Sequence, residues 1–301
     1  MAGTALLLGV DGGGTGCRAR LTDVNGQVLG EGTGGPANIR FGIKESFSAV
    51  LQATDMCLDQ AGLSLQGSEI VACLALAGAS EPTHLAAART YNLPFAHTLL
   101  TTDAHAACVG AHGGKNGGII VVGTGSVAWG IVGNREHRVG GWGFPVSDEG
   151  SGAWLGCEAA RRVLWAYDGR IAWTDLTKSL LERFEGDPHA IVRWMGQARP
   201  RDFGSLAPVI IAYAGRGDPV GRELMQDAAR HVDVMAQRLA TLGVPRLALS
   251  GGLAASIEPW LAPSTRELLV APLGDALSGA LLLARLEAET LALSQPLARR
   301  R

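Results

Sequence analysis

The chain has 301 residues, long enough for two medium domains with a core each. With 47% hydrophobic and 18% charged residues it is in the ordinary globular range, which excludes a disordered chain. A net charge of -2 supplies no basic face for nucleic acid, and the Arg299-Arg300-Arg301 cluster reads as a solvated tail.

Residues 5–10 form an apolar run with no basic segment ahead of it, so no signal peptide is expected. The spacing predicts strands over 5–10, 17–23 and 27–32, the last two joined by an Asn25-Gly26 turn. A helix is expected over 46–61, closed by Gly62, then a strand over 69–77 and a helix over 82–91. A buried strand over 96–100 leads to a helix starting at Asp103.

The second half opens in the same way. A strand over 118–122 runs into Gly123-Thr124-Gly125-Ser126, followed by strands over 127–132 and 138–141 and a helix over 151–167. Residues 168–202 are more charged, mostly helical, and read as an insertion. Helices over 206–214 and 220–242 precede a strand over 246–249, a second over 267–270 and a last helix from Asp275. The uncharged stretch 117–133 is too short and too polar to span a bilayer. The repeated order predicts an α/β chain of two like domains, 1–113 and 114–301, whose glycine turns face one cleft.

Five dispersed cysteines argue against a disulfide framework or a zinc site and fit reduced thiols in the cytoplasm. Glycine is the compositional outlier, with 42 residues against a usual share of about 7%. Glycines follow apolar runs, where tight turns bring backbone amides close to a ligand.

The first such turn is Asp11-Gly12-Gly13-Gly14-Thr15-Gly16, a carboxylate at a strand end followed by open backbone, suited to hydrated Mg²⁺ and phosphate. Thr124, Gly125 and Ser126 make the matching turn of the second half. Asp103, at a strand end, has the chemistry to accept a hydroxyl proton in phosphoryl transfer, or simply to cap a helix. The loop Gly141-Trp142-Gly143 with Asp148 sets an aromatic ring and a carboxylate beside glycines, as a sugar ring would need; core packing and helix capping are the alternatives. Gly251-Gly252 gives either a surface for a nucleotide or a plain strand-to-helix turn. No P-loop spacing is present, and the first turn does not fit GxGxxG.

Together these motifs resemble the N-acetylglucosamine kinase branch of the BadF/BadG-type ATPase family, within the actin/hexokinase/Hsp70 superfamily. Residues 11–23, 118–130 and 141–151 and Gly217-Asp218-Pro219 carry the resemblance over nearly the whole chain. It implies duplicated ribonuclease H-like (actin-like ATPase) domains and an ATP- and Mg²⁺-dependent kinase that phosphorylates the 6-hydroxyl of N-acetylglucosamine. Asp103 then matches the base. Asp11, Gly13, Gly14, Thr15, Thr124, Gly125 and Ser126 match the phosphate and metal side, and Ala214, Gly251 and Gly252 the nucleotide side. Asn38 with Ile39, Gly141, Trp142, Gly143 and Asp148 match sugar contacts. Glucosamine is the alternative substrate, and an ATPase activating 2-hydroxyacyl-CoA dehydratases the more distant one. No nucleic-acid or membrane partner is expected; a homodimer is left open.

Overall fold

The computed structural model describes residues 5–66 and 68–294. The Arg299-Arg300-Arg301 tail lies outside them. In chain order come β1 (Leu6–Gly12), β2 (Cys17–Thr22), β3 (Val28–Gly34), α1 (Ile43–Ala61), β4 (Ile70–Leu76), α2 (Pro82–Arg89), β5 (His97–Thr101) and α3 (Asp103–His112). Then follow β6 (Gly117–Val122), β7 (Ser126–Val132), β8 (Arg135–Gly140), α4 (Gly152–Tyr167), α5 (Asp175–Glu182), α6 (Pro188–Met195), α7 (Pro200–Gly204), α8 (Ala207–Gly215) and α9 (Pro219–Thr241). The chain closes with β9 (Leu247–Ser250), α10 (Ala254–Ile257), α11 (Pro263–Arg266) and α12 (Ala276–Ser294).

The chain divides into two compact units, one running to Lys115 and resuming at Pro272, the other Asn116–Ala271. The division differs from the expected 1–113 and 114–301, because the last helix returns to the first unit. Gly9 and Gly279 explain the return. A Cβ on Gly9 would stand 2.7 Å from Leu281, and one on Gly279 would stand 1.8 Å from the Ala106 carbonyl, so α12 lies directly on β1 and α3.

The first unit has a five-stranded sheet in the order β3-β2-β1-β4-β5. β1, β2 and β3 pair antiparallel, while β4 joins β1, and β5 joins β4, in parallel. β4 is buried along its whole length, and its alternation serves two cores. Ile70, Leu74 and Leu76 pack on the α1 side with Leu8, Val10, Phe47 and Val50; Val71, Cys73 and Ala75 pack with Ala106, Ala280 and Ala284. α1 sits unusually close to β3. A Cβ on Gly30, Gly32 or Gly34 would come within 2.0–2.2 Å of the carbonyls of Cys57, Ala53 and Ala49, one helical turn apart. Part of the glycine excess is therefore a packing device, not a set of ligand loops.

The second unit repeats the order with a four-stranded sheet, β8-β7-β6-β9. The strand expected over 267–270 is instead one bridge, Leu247 to Leu269, following α11. Pro263 pre-sets helical φ at the start of α11, which leaves too few extended residues for a fifth strand. The expected insertion is helical, as α5, α6 and α7. Ile120, Val122 and Ala128 pack with α4, α5, α8 and α9 in one continuous core. Asp218 caps α9 by accepting from Gly221 N–H at 2.9 Å and also accepts from Leu176 N–H at 3.0 Å, which ties α9 to α5. Gly217-Asp218-Pro219 thus has a structural task of its own.

Candidate active site

In the first unit the parallel strands end together. Asp11, Ala75 and Thr101 occupy one row across β1, β4 and β5. Two strand spacings separate the first from the last, about 10 Å. Asn38 joins the same end through a bridge to Ala77. The carboxyl end of parallel strands is where open α/β sheets bind ligands.

The turn after β1 is anchored at its flanks and open in its middle. Gly13 N–H donates to the Gly16 carbonyl, and the Gly13 carbonyl accepts from Ala37 N–H, both at 2.9 Å. Gly12 has no room for a side chain, with Leu76 and Ala37 within 3.0 Å of a built Cβ, whereas Gly14 has nothing within 4 Å. Thr15 is exposed beside it. Asp11 pairs across the hairpin with Arg18, and the guanidinium meets the Asp11 carboxylate at 2.7 Å and that of Asp275 at 3.0 Å. Burial works against the Asp275 charge, but hydrogen bonds from Ser278 and the Arg18 charge hold its carboxyl below the usual range.

Asp103 is the first residue of α3, and the capping alternative falls to its neighbour. The Thr102 hydroxyl accepts from His105 N–H at 2.9 Å and is the N-cap. Asp103 is exposed, with one carboxylate oxygen accepting from Ala104 N–H at 2.9 Å.

In the second unit three loops converge. The β6–β7 turn receives the start of α4: Gly152 N–H donates to the Gly123 carbonyl at 2.8 Å and Ala153 N–H to that of Thr124 at 3.1 Å. Leu253 N–H donates to the Val122 carbonyl at 2.9 Å, which brings Gly251-Gly252 alongside. Gly251 is at φ +94° with no space for a side chain beside Val122, while Gly252 is open. Asp148 faces the turn, since a Cβ on Gly125 would stand 2.7 Å from its carboxylate.

Asp148 is held at φ +67°, and Phe144 N–H donates to it at 3.2 Å. Burial pushes its pKa up, against hydrogen bonds from the Gly143 and Phe144 amides. Trp142 is not core: it is 75% exposed, with the Arg138 guanidinium 4.4 Å from its ring centre. Arg138 also donates to the Gly140 and Gly141 carbonyls, holding the backbone that carries the ring.

Three expected contacts are placed differently by burial. The Ser126 hydroxyl is buried and donates to the Glu149 carbonyl at 2.7 Å, so Thr124 is the exposed hydroxyl of its turn. Ile39 and Ala214 lie in the cores at 2% exposure, because each falls on the inward face of its segment; Ile39 N–H donates to the Ala77 carbonyl at 3.1 Å and the Ala214 carbonyl accepts from Gly217 N–H at 3.0 Å, so neither presents a side chain to a ligand. Sequence reasoning passed over Arg18, Arg138 and Asp275. Arg18 had a signal, since a four-residue turn after Gly12 sets it opposite Asp11. Asp275 had none, being brought in from 264 positions away along the chain (275 minus 11).

Among the described residues no group of three or more His, Cys, Asp or Glu is placed to hold a metal ion. Asp11 is a single carboxylate at the open turn, already paired with Arg18, which does not make a cage for a resident ion. Four cysteines are buried and Cys157 is half-buried. Burial raises Cys57 to about 11 and Cys73 to about 12, which leaves those thiols inert. Among the described residues no helix is long and apolar enough to cross a membrane.

The chain is similar to known proteins. The chain is 38% identical to a glucosamine kinase of Vibrio cholerae, over 92% of this chain and 95% of that one. It is 29% identical to an N-acetylmuramic acid/N-acetylglucosamine kinase of Clostridium acetobutylicum, over 75% and 76%. A crystal structure from Chromobacterium violaceum, provisionally described as an N-acetylglucosamine kinase, superposes with a TM-score of 0.84 at 37% identity, over 93% and 98%. The duplicated α/β architecture is that of actin-like ATPases. With the model of the BadF/BadG/BcrA/BcrD ATPase family matching residues 8–284, the chain belongs to that family.

Proposed function

We propose that this chain, a sugar kinase of the amino-sugar type, transfers the γ-phosphoryl group of ATP to the 6-hydroxyl of glucosamine. Support comes from the extent of similarity to the Vibrio glucosamine kinase. N-acetylglucosamine, expected from the sequence, is the second substrate to test, because other relatives carry that name. The observation that carries the reading is the division of labour at the head of α3: Thr102 caps the helix and Asp103 stands exposed beside it. A carboxylate in that position can orient the attacking hydroxyl and accept its proton.

In this reading the open Gly13–Thr15 turn and the Thr124 hydroxyl serve the ATP phosphates, and Gly251-Gly252 the nucleoside. Mg²⁺ would supply charge neutralisation on the phosphates, with Asp11 its contact on the protein. Backbone amides stabilise charge without reorganising, because the fold has already oriented them. Asn38, Gly141, Trp142, Gly143 and Asp148 are proposed to hold the sugar. The exposed Trp142 ring offers an apolar face, and Asp148 an acceptor for sugar hydroxyls.

The test is ADP release from ATP with glucosamine, N-acetylglucosamine and glucose at equal concentration, with the phosphate located on the product. The reading expects sugar-dependent turnover, fastest with glucosamine, and phosphate on the 6-oxygen. ATP hydrolysis indifferent to every sugar would overturn it.

A further inference from the structure

The first unit contains a cavity whose charges the reaction above does not use. It has a volume of about 590 Å³ and is lined by Gly14 of the β1–β2 turn and by Asn38, Phe41, Gly42, Lys44 and Glu45 around the start of α1. Glu45 sits in the first turn of that helix. Its carboxylate folds back over Gly42, where a built Cβ would stand 2.3 Å from Oε2. Gly42 is at φ +152°, which side chains rarely adopt, so the backbone keeps this space clear.

Among the described residues the side chains of Glu45 and Lys44 make neither a hydrogen bond nor an ion pair. The positive end of the helix accounts for a carboxylate in this turn, but not for a cavity in front of it that also reaches Asn38 and Gly14. The Asn38 side-chain oxygen Oδ1 accepts from Arg40 N–H at 3.0 Å, which leaves its NH₂ to donate. Cavity and carboxylate thus stand beside a residue assigned to the sugar.

We infer that Glu45 reads the 2-substituent of the sugar: its carboxylate takes the ammonium of a 2-amino-2-deoxyhexose and sets the preference over the acetamide. The inference rests on the sugar-kinase reading. An ammonium gives the carboxylate a charge-assisted hydrogen bond. An acetamide brings no charge, and its methyl group would crowd a carboxylate that then loses water without compensation. Lys44 opposes the ammonium from the same cavity. Adjacent helix positions do not face each other, so the two charges act on the cavity separately. Arg40 stands 5.8 Å from the Phe41 ring centre, at the edge of the same segment.

The experiment measures kcat/KM of the full chain for glucosamine, N-acetylglucosamine and glucose, in wild type, Glu45→Gln and Lys44→Met. Glu45→Gln is expected to lower kcat/KM for glucosamine about tenfold or more, through KM, and to leave the other two sugars unchanged. Lys44→Met is expected to sharpen the preference for glucosamine. In wild type the glucosamine KM should rise as pH passes above the amine's pKa, and Glu45→Gln should lose that dependence. Should Glu45→Gln fail to fold, Glu45→Asp keeps the charge, shortens its reach and gives an intermediate ratio. Equal loss for all three sugars, or no change for glucosamine, overturns the inference while the kinase reading stands. A wild-type chain with no sugar-dependent ADP release overturns both.

Discussion

The two glycine turns occupy the same place in the repeated topology, yet their glycines answer to different neighbours. In the β1–β2 turn Gly13 has one backbone oxygen at 3.7 Å from a built Cβ, and Gly14 has nothing within 4 Å. In the β6–β7 turn Gly125 lies against the Asp148 carboxylate, while the Gly123 and Thr124 carbonyls are occupied by the start of α4. The first turn leaves its space open. The second packs against the Asp148 loop and the start of α4 and leaves the Thr124 hydroxyl as its exposed group.

The largest effect that tests this contrast is expected from Gly125→Ala. The added methyl meets Asp148 at 2.7 Å, and the carboxylate cannot retreat freely from its left-handed backbone and its Phe144 hydrogen bond. A shift of about 1 Å at such a group is expected to cost about 100-fold in kcat/KM, with a stability loss of about 1–3 kcal/mol. Steady-state kinetics and denaturant unfolding read the two separately. Unchanged kinetics would break the link between turn and loop.

Asp148→Asn sharpens it by separating fold from function. Burial raises the folded pKa of Asp148 above its unfolded value of 3.8, so the charged form weakens the fold at pH 7. That cost fades as pH falls through the folded pKa toward 3.8. Asparagine tolerates the left-handed conformation and can still accept from Phe144 N–H. The variant is therefore expected to match or exceed the wild-type Tm at pH 7, with the difference shrinking on acidification, while sugar KM rises. A lower Tm at pH 7 would show that the charge is needed for stability.

Gly14→Ala carries the smallest stability effect, expected within about 0.5 kcal/mol of wild type, as at other open surface positions. Its consequence belongs to the ligand, and a raised KM for ATP is expected. Loss of stability would mean that the turn is not open.

Much of this was legible along the chain. Periodicity and turn residues located the strands of both sheets, because apolar alternation and glycine punctuation are local signals. The turns at Asp11 and Gly123 and the head of α3 were visible for the same reason. What stayed hidden was long-range. Nothing local marks α12 as belonging with β1, or Asp275 with Arg18; both follow from Gly9, Gly110 and Gly279 letting helix and strand meet. The strand expected over 267–270 is reduced to one bridge because α11 precedes it directly, which an apolar run alone does not reveal. Ile39, Ser126 and Ala214 look alike as candidates until burial separates backbone from side chain.

The most direct test of the account is Asp103→Asn, measured as kcat with saturating ATP and sugar alongside the Tm. Thr102 keeps the cap and asparagine can still accept from Ala104 N–H, so these two bonds at the head of α3 remain. The account predicts an unchanged Tm and a kcat reduced by at least about 100-fold, the lower end for a lost general base. A variant that folds normally and keeps near-full kcat would contradict it.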